Sequence, residues 1–231
     1  MKRPLAKKRI SVLLAEDHTV VRQGLKRLLE AQGDIRVTGE AENGRQTVEL
    51  TKRLRPAVVV MDIGMPLLNG LEATRQIVKA VPDAKVLILS ARNDDAYVEQ
   101  ATALGAAGYL VKQTSAHILA KAVRTVAKGN VFFGPSISVR VQDSARKRAA
   151  PGEASDAFGN RLSSREVEVL QLIAEGKSNK QVAAELGVTF KTADRHRQNL
   201  MNKLCIHDIA GLTRYAIAEG ITEGAIRLTI R

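Results

Sequence analysis

The 231-residue chain has one cysteine, no tryptophan, four phenylalanines, three tyrosines and six prolines. A lone Cys205 forms no internal disulfide and offers no cysteine metal cluster, which fits a reducing cytoplasm. No apolar run approaches the roughly 18 residues a membrane span needs. The basic start, Met1 to Arg9, has no signal-peptide apolar stretch ahead of a small-residue cleavage site. The expectation is a cytoplasmic chain with no membrane partner. Internal repeats and low-complexity segments are also missing. The second half lacks the exposed aromatics that stack single-stranded bases.

What is present suits two modest domains. An apolar fraction of 45% supplies ordinary cores for a chain of this length. The net charge of +12 hints at a polyanion partner, but it divides as +8 over residues 1–130 and +4 over residues 131–231. Part of the excess is the arm Lys2, Arg3, Lys7, Lys8 and Arg9, the kind of charge run that is usually solvated. Composition alone does not establish DNA binding.

Val58-Val59-Val60-Met61 is an unbroken apolar run, the mark of a strand buried on both faces of a parallel sheet. Asp62 ends it, and Gly64 and Pro66 stop it. Ligands of open α/β sheets bind beyond the carboxyl ends of strands, so an acid there is a metal ligand, a nucleophile or a helix cap. Further strands are expected at 9–15, 35–39, 86–90 and 109–111. Helical spacing lies between them, over Val20 to Leu29 and at about 43–54, 70–80 and 95–104, and Thr114 or Ser115 can cap a closing helix that runs to about Lys128. Alternating strands and helices with short loops imply a doubly wound parallel sheet of five strands, covered on both faces. Residues 130–159 read as a linker, with a short helix around 138–149. After Leu162 only helices follow, four of them, with caps at Ser163 or Ser164, Ser178 and Thr189.

Three strand ends now present polar groups at one edge: Glu16 and Asp17, Asp62, and Ser90, with Lys112 after the last strand. Three carboxylates repel one another and need a cation, and oxygen ligands of this kind select Mg²⁺. A carboxylate between Mg²⁺ and a lysine can attack a phosphoryl group, because both cations offset the developing charge. Ser90 and Lys112 are then candidates to bond the new phosphate. Singly, Ser90 is as well read as a strand end and Lys112 as a surface charge; together they point to one chemistry.

The pieces Glu16-Asp17, Met61-Asp62 through Asn69-Gly70, Leu89-Ser90-Ala91 and Gly108-Tyr109-Leu110-Val111-Lys112 resemble a response-regulator receiver domain over residues 9–129. The resemblance implies a flavodoxin-like fold with Asp62 as phosphoacceptor and a sensor histidine kinase as partner. It also implies Mg²⁺ held by Asp17, Asp62 and the carbonyl of Gly64, with Glu16 acting mainly through water. Ser90 would be the switch hydroxyl and Lys112 the counter-charge. Tyr109 would be the switch aromatic, its ring filling space that Ser90 vacates.

The tail, residues 160–225, resembles the LuxR/FixJ-type helix-turn-helix, and the whole chain the NarL/FixJ regulators. The matching text is Leu162 to Leu170, Gly176 to Lys180, Val182 to Leu186, Lys191-Thr192, His196-Arg197 and Asn199 to Leu204. Ala193 and Asp194 depart from the larger aliphatic residue and the Glu common there. Such a domain lays the second helix of its helix-turn-helix pair, here the third of the four tail helices, in the major groove. Lys191, Arg195, Gln198, Asn199 and Asn202 lie on the outward face and suit base edges. Lys177, Asn179, Lys180, Thr192 and Lys203 are better placed for phosphates. Asp194 is expected at the margin or paired with an arginine, His196 in packing or a phosphate contact, and Cys205 in or near the core. The function expected is phosphorylation-switched binding to double-stranded promoter DNA, as a homodimer when phosphorylated, with RNA polymerase a candidate partner. A phosphatase using Asp62 as nucleophile is the enzymatic rival, but its usual second Asp two residues on is here Gly64. An interaction module binding protein or RNA is the other rival.

Overall fold

Alternation along each strand decides which face of the sheet a side chain enters. The computed structural model describes residues 9–92, 94–134, 137 and 162–222. Its strands are β1 (Ile10–Ala15), β2 (Ile35–Ala41), β3 (Val58–Met61), β4 (Lys85–Ser90), β5 (Gly108–Val111) and β6 (Phe132–Phe133). They form one parallel sheet in the order β2-β1-β3-β4-β5-β6. Val12, Leu14, Val58, Val60, Leu87 and Leu89 enter the core beneath α1 (Thr19–Glu30) and α5 (Ala116–Ala127). Their neighbours Leu13, Ala15, Val59, Met61, Val86 and Ile88 enter the opposite core, beneath α2 (Gly44–Leu54), α3 (Gly70–Ala80) and α4 (Asp95–Ala103). Period two over a sheet covered on both faces is why these strands read as continuous apolar runs.

The sheet has six strands, not the expected five. Phe132–Phe133 pairs with β5 through Gly108 and Tyr109, in the stretch expected to be linker. Even this short strand alternates, Phe132 packing on one core and Phe133 on the other. β2 also runs two residues past the expected Gly39. The helix expected around 138–149 lies outside the described residues.

The second domain comprises α6 (Ser164–Ala174), α7 (Asn179–Leu186), α8 (Phe190–Leu204) and α9 (Ile209–Ala218). Ser163 with Glu166, and Ser178 with Gln181, make full capping boxes, while Thr189 and Asp208 cap α8 and α9. Each such cap stabilises its helix by about 1 kcal/mol. Val169, Leu170, Leu172 and Ile173 meet Val182, Leu186, Ala193, Leu200 and Leu212 in one core. Cys205 does not join it: it is exposed and forms the left-handed C-cap of α8. The helix ends at Leu204, so the residue that continued periodicity would turn inward leaves the stripe instead.

Candidate functional site

Strand register assembles the acidic edge. Asp62 N–H donates to Ala15 O at 2.9 Å, Glu16 N–H to Ala41 O at 3.0 Å, and Lys112 N–H to Ser90 O at 2.7 Å. These bonds fix the end of β1 between those of β2 and β3, and the ends of β4 and β5 beside each other. The approach of α3 is equally tight, for a Cβ on Gly70 would overlap the Asp62 carbonyl. No larger residue fits there without moving the helix off β3.

Lys112 Nζ bridges two acids, 2.7 Å from Glu16 Oε2 and 3.0 Å from Asp62 Oδ2. The other Asp62 oxygen accepts the Ile63 N–H at 2.8 Å. Burial pushes the Asp62 carboxyl up to about 6, against the pull of Lys112, and Glu16 adds to the rise. Burial by itself would lower the Lys112 ammonium, but Asp62 and Glu16 outweigh it and the net is upward. One lysine therefore does not satisfy this much buried negative charge, and the donor set fits a hard divalent cation. The group whose ligand atoms lie within 4.8 Å of one another is Glu16, Asp17 and His18. His18 was not foreseen. Its Nδ1 lies 2.7 Å from Asp17 and 3.0 Å from Glu16, and Asp17 first, then Glu16, raise its pKa. Arg22 was also missed: it is 5% exposed, donates to the Glu16 carbonyl at 2.7 Å and pairs with Glu42 at 2.8 Å, bracing the end of β1.

Ser90 is buried, and its Oγ accepts the Arg92 N–H at 3.1 Å. Tyr109 is 1% exposed, its ring already inside the α3–α4 core and its hydroxyl donating to the Arg92 carbonyl at 2.9 Å. Burial raises that phenol to about 12. Both residues thus converge on Arg92, whose guanidinium also lies over the Tyr97 ring and bonds its hydroxyl at 2.5 Å.

On the second domain, Lys180, Lys191, Arg195, Gln198, Asn199, Asn202 and Lys203 are exposed. Thr192 and Lys177 are half-buried. Several carry intramolecular partners: Gln198 bonds Asn202 at 3.1 Å, Lys203 pairs with Glu166 at 3.0 Å, and the Thr192 hydroxyl meets Thr189. Asn179 links Asp194, at 2.8 Å, to Arg197, at 2.8 Å, so Asp194 meets arginine through an amide rather than directly. Phe190, at the start of α8, is 58% exposed, an aromatic that the expected lack of exposed rings did not include.

Comparison with known proteins agrees with both halves. The response regulator receiver domain matches residues 12–124, and the luxR family of bacterial regulatory proteins matches residues 160–216. The chain is 33% identical to the transcriptional regulatory protein DegU of Brevibacillus brevis, over 95% of this chain and 96% of DegU. It is 39% identical to the transcriptional regulatory protein LiaR of Bacillus subtilis, over 90% of this chain and 96% of LiaR. Among solved structures it resembles the response regulator ChrA of a heme-sensing two-component system, at 32% identity and TM-score 0.50, over 92% and 98% of the two chains. It also resembles RcsB in a structure of two RcsB dimers bound to two parallel DNAs, at 26% identity and TM-score 0.55, over 90% and 98%.

Proposed function

The chain belongs to the two-component response regulators that join a receiver to a LuxR-type DNA-binding domain, and from that premise we propose that Asp62 is its phosphoacceptor. The observation that carries the reading is the buried Asp62 carboxylate at the end of β3, 3.0 Å from a lysine that it shares with Glu16. An Asp62 oxygen attacks phosphorus, the donor's bond to phosphorus breaks, and the leaving group departs with the electron pair. Lys112 offsets charge on the acceptor and then on the phosphate. Asp17, Asp62, Glu16 and the Gly64 carbonyl would hold Mg²⁺, which when bound screens the repulsion between carboxylates and phosphoryl oxygens. Phosphorylation adds roughly 1.5–2 negative charges at pH 7. Ser90 and Tyr109 both bond Arg92 backbone, so movement of Ser90 toward phosphate would disturb the α4 end of the domain.

The sensor kinase partner, promoter DNA and a homodimer on DNA belong to this proposal, with a cytoplasmic location. No helix among the described residues is long and apolar enough to cross a membrane. Arg195 and its neighbours on α8 would read bases, while Lys180 and Lys177 would meet phosphates. The test is direct. Asp62→Asn keeps the shape and removes the nucleophile, so it abolishes hydroxylamine-sensitive label from acetyl phosphate. Undiminished labelling of that variant places the phosphoacceptor elsewhere.

A further inference from the structure

The helical domain grips the turn that follows Asp62. Gln171, 1% exposed, accepts the Asn69 N–H at 2.7 Å and donates to the Met65 carbonyl at 2.9 Å and to Glu175 at 2.8 Å. Glu175 accepts the Leu67 N–H at 3.0 Å. Leu67 sits at φ +66°, a region that L side chains seldom enter, and its side chain packs on the helical domain's core. The contact extends in both directions. Glu168 pairs with Arg45 of α2 at 2.9 Å and accepts from Gln76 of α3 at 2.9 Å, and Ser164 bonds Glu72. Asn69 Nδ2 donates to the Ile221 carbonyl at 3.1 Å, and Gly220 packs so closely on Tyr97 of α4 that a Cβ there would overlap the phenol.

Beneath this roof lies a cavity of about 500 Å³. Asp17, His18, Gly64 and Arg92 line one wall, and Glu175 and Lys177 of the helical domain the other. Its size is that of a small-molecule site, roughly 300–1,000 Å³. A single α-helix, about 10–12 Å across with its side chains, does not fit. The docking leaves the outward face of α8 open, with Lys191, Arg195, Gln198 and Asn199 all exposed. What it covers is the turn that follows Asp62 and the cavity beside Asp17 and Gly64, not the base-reading face.

We propose that the docked helical domain roofs the phosphoacceptor site and makes it selective by donor size. The docked chain takes its phosphoryl group from small acyl phosphates entering this cavity and excludes a donor carried on a folded protein. Lys177 and Arg92 hold the anionic donor there. An Asp62 oxygen–phosphorus bond forms, the donor's acyl oxygen–phosphorus bond breaks, and the acid leaves as its carboxylate. The inference rests on Asp62 being the phosphoacceptor.

The experiment compares the full chain with a Gln171→Ala/Glu175→Ala double variant, using two donors: acetyl phosphate and an autophosphorylated histidine kinase domain. Unchanged binding to duplex DNA checks that the variant's helical domain is folded. Labelling by the kinase domain should rise about tenfold in the variant, the factor expected if the open state is about one-tenth populated in the parent chain. The rate with acetyl phosphate should not rise. Lys177→Ala should increase the acetyl phosphate concentration needed for half-maximal rate in the parent chain and have no such effect in the double variant, since the coupling exists only when docked. Equal acceleration with both donors, or none with the kinase domain, overturns the proposal. Should Asp62→Asn label as well as the parent, the phosphoacceptor reading fails first, an outcome distinct from a failure of the roof.

Discussion

Replacing Asp62 by Asn should stabilise the receiver, and the size of the effect follows from the site. Burial, with Glu16 in support, raises the Asp62 carboxyl from its ordinary 3.8 to about 6 against the pull of Lys112 and the Ile63 N–H. A folded pKa above the unfolded one means that the protonated form favours folding. That contribution is complete below about pH 3.8 and is lost as pH rises through about 6. At about 1.4 kcal/mol per pH unit, the ionised carboxylate costs the native state up to about 3 kcal/mol at pH 7.5. Relaxation of the loop and of Lys112 reduces this, so a gain of about 1–3 kcal/mol is expected for Asp62→Asn, whose amide stays neutral at every pH. Against a total stability of order 5–15 kcal/mol the change is easily measured. Urea denaturation followed by far-UV circular dichroism, in EDTA, reads it; the chain has no tryptophan for fluorescence. The gain should shrink toward zero by pH 4. Millimolar Mg²⁺ should close the gap at pH 7.5 by stabilising the parent chain, since a cation bound only to the folded state adds to its stability. A variant no more stable than the parent at pH 7.5 in EDTA, or a gain independent of pH, refutes the account of strained charge at this edge.

Lys112→Ala should slow labelling by acetyl phosphate by at least about tenfold while the fold is retained, as checked by circular dichroism, because the phosphoryl group loses its fixed counter-charge. Arg195→Ala should cost roughly 1–3 kcal/mol on operator DNA and much less on scrambled DNA, the mark of a bidentate base contact; equal losses on both would make it a phosphate contact. Lys180→Ala should weaken both equally and flatten the salt dependence by roughly one unit of slope, measured over a salt series. Phosphorylated protein should sediment as a dimer on operator DNA, because two tethered heads gain through effective concentration; a monomer both free and on DNA would refute this.

The sheet was legible because its signal is local. Val58 to Met61 and Val86 to Leu89 are apolar without interruption, so their buried state follows from composition alone, and the polar groups that end the strands follow from chain order. The helical caps were legible for the same reason, Ser163, Ser178 and Thr189 standing immediately before their helices. β6 was not, since two phenylalanines after Gly129 carry no period and are strand only because β5 offers them an edge. Cys205 misled through periodicity that outlasted its helix. His18 could have been found: it adjoins Asp17 in the chain, and an imidazole beside two carboxylates is drawn to them by charge.

The contacts between the domains had no signal at all, and their chemistry explains why. They are made by Gln171, Glu168 and Glu175 to backbone groups and side chains more than 90 residues away. In the sequence such residues look like the solvated face of an amphipathic helix, because nothing in α6 announces that this polar face meets another surface. Yet Gln171 and Glu168 are buried, and burying polar groups is tolerated only when every bond is made. The partner groups are the N–H groups of Leu67 and Asn69 and the carbonyl of Met65, a few residues along the turn from the Ile63 N–H that Asp62 accepts. Asp62 and the docking surface therefore lie on one short stretch of backbone. A change that re-aims Ile63 or Gly64 moves the groups that the buried Gln171 and the half-buried Glu175 bond on this turn, and those bonds are then lost. By linkage the dependence runs both ways: whatever releases the helical domain also loosens the turn that shapes the acceptor. If phosphorylation at Asp62 releases the helical domain, that coupling needs no relay through the core, because Asp62 and the docked turn share residues 62–69.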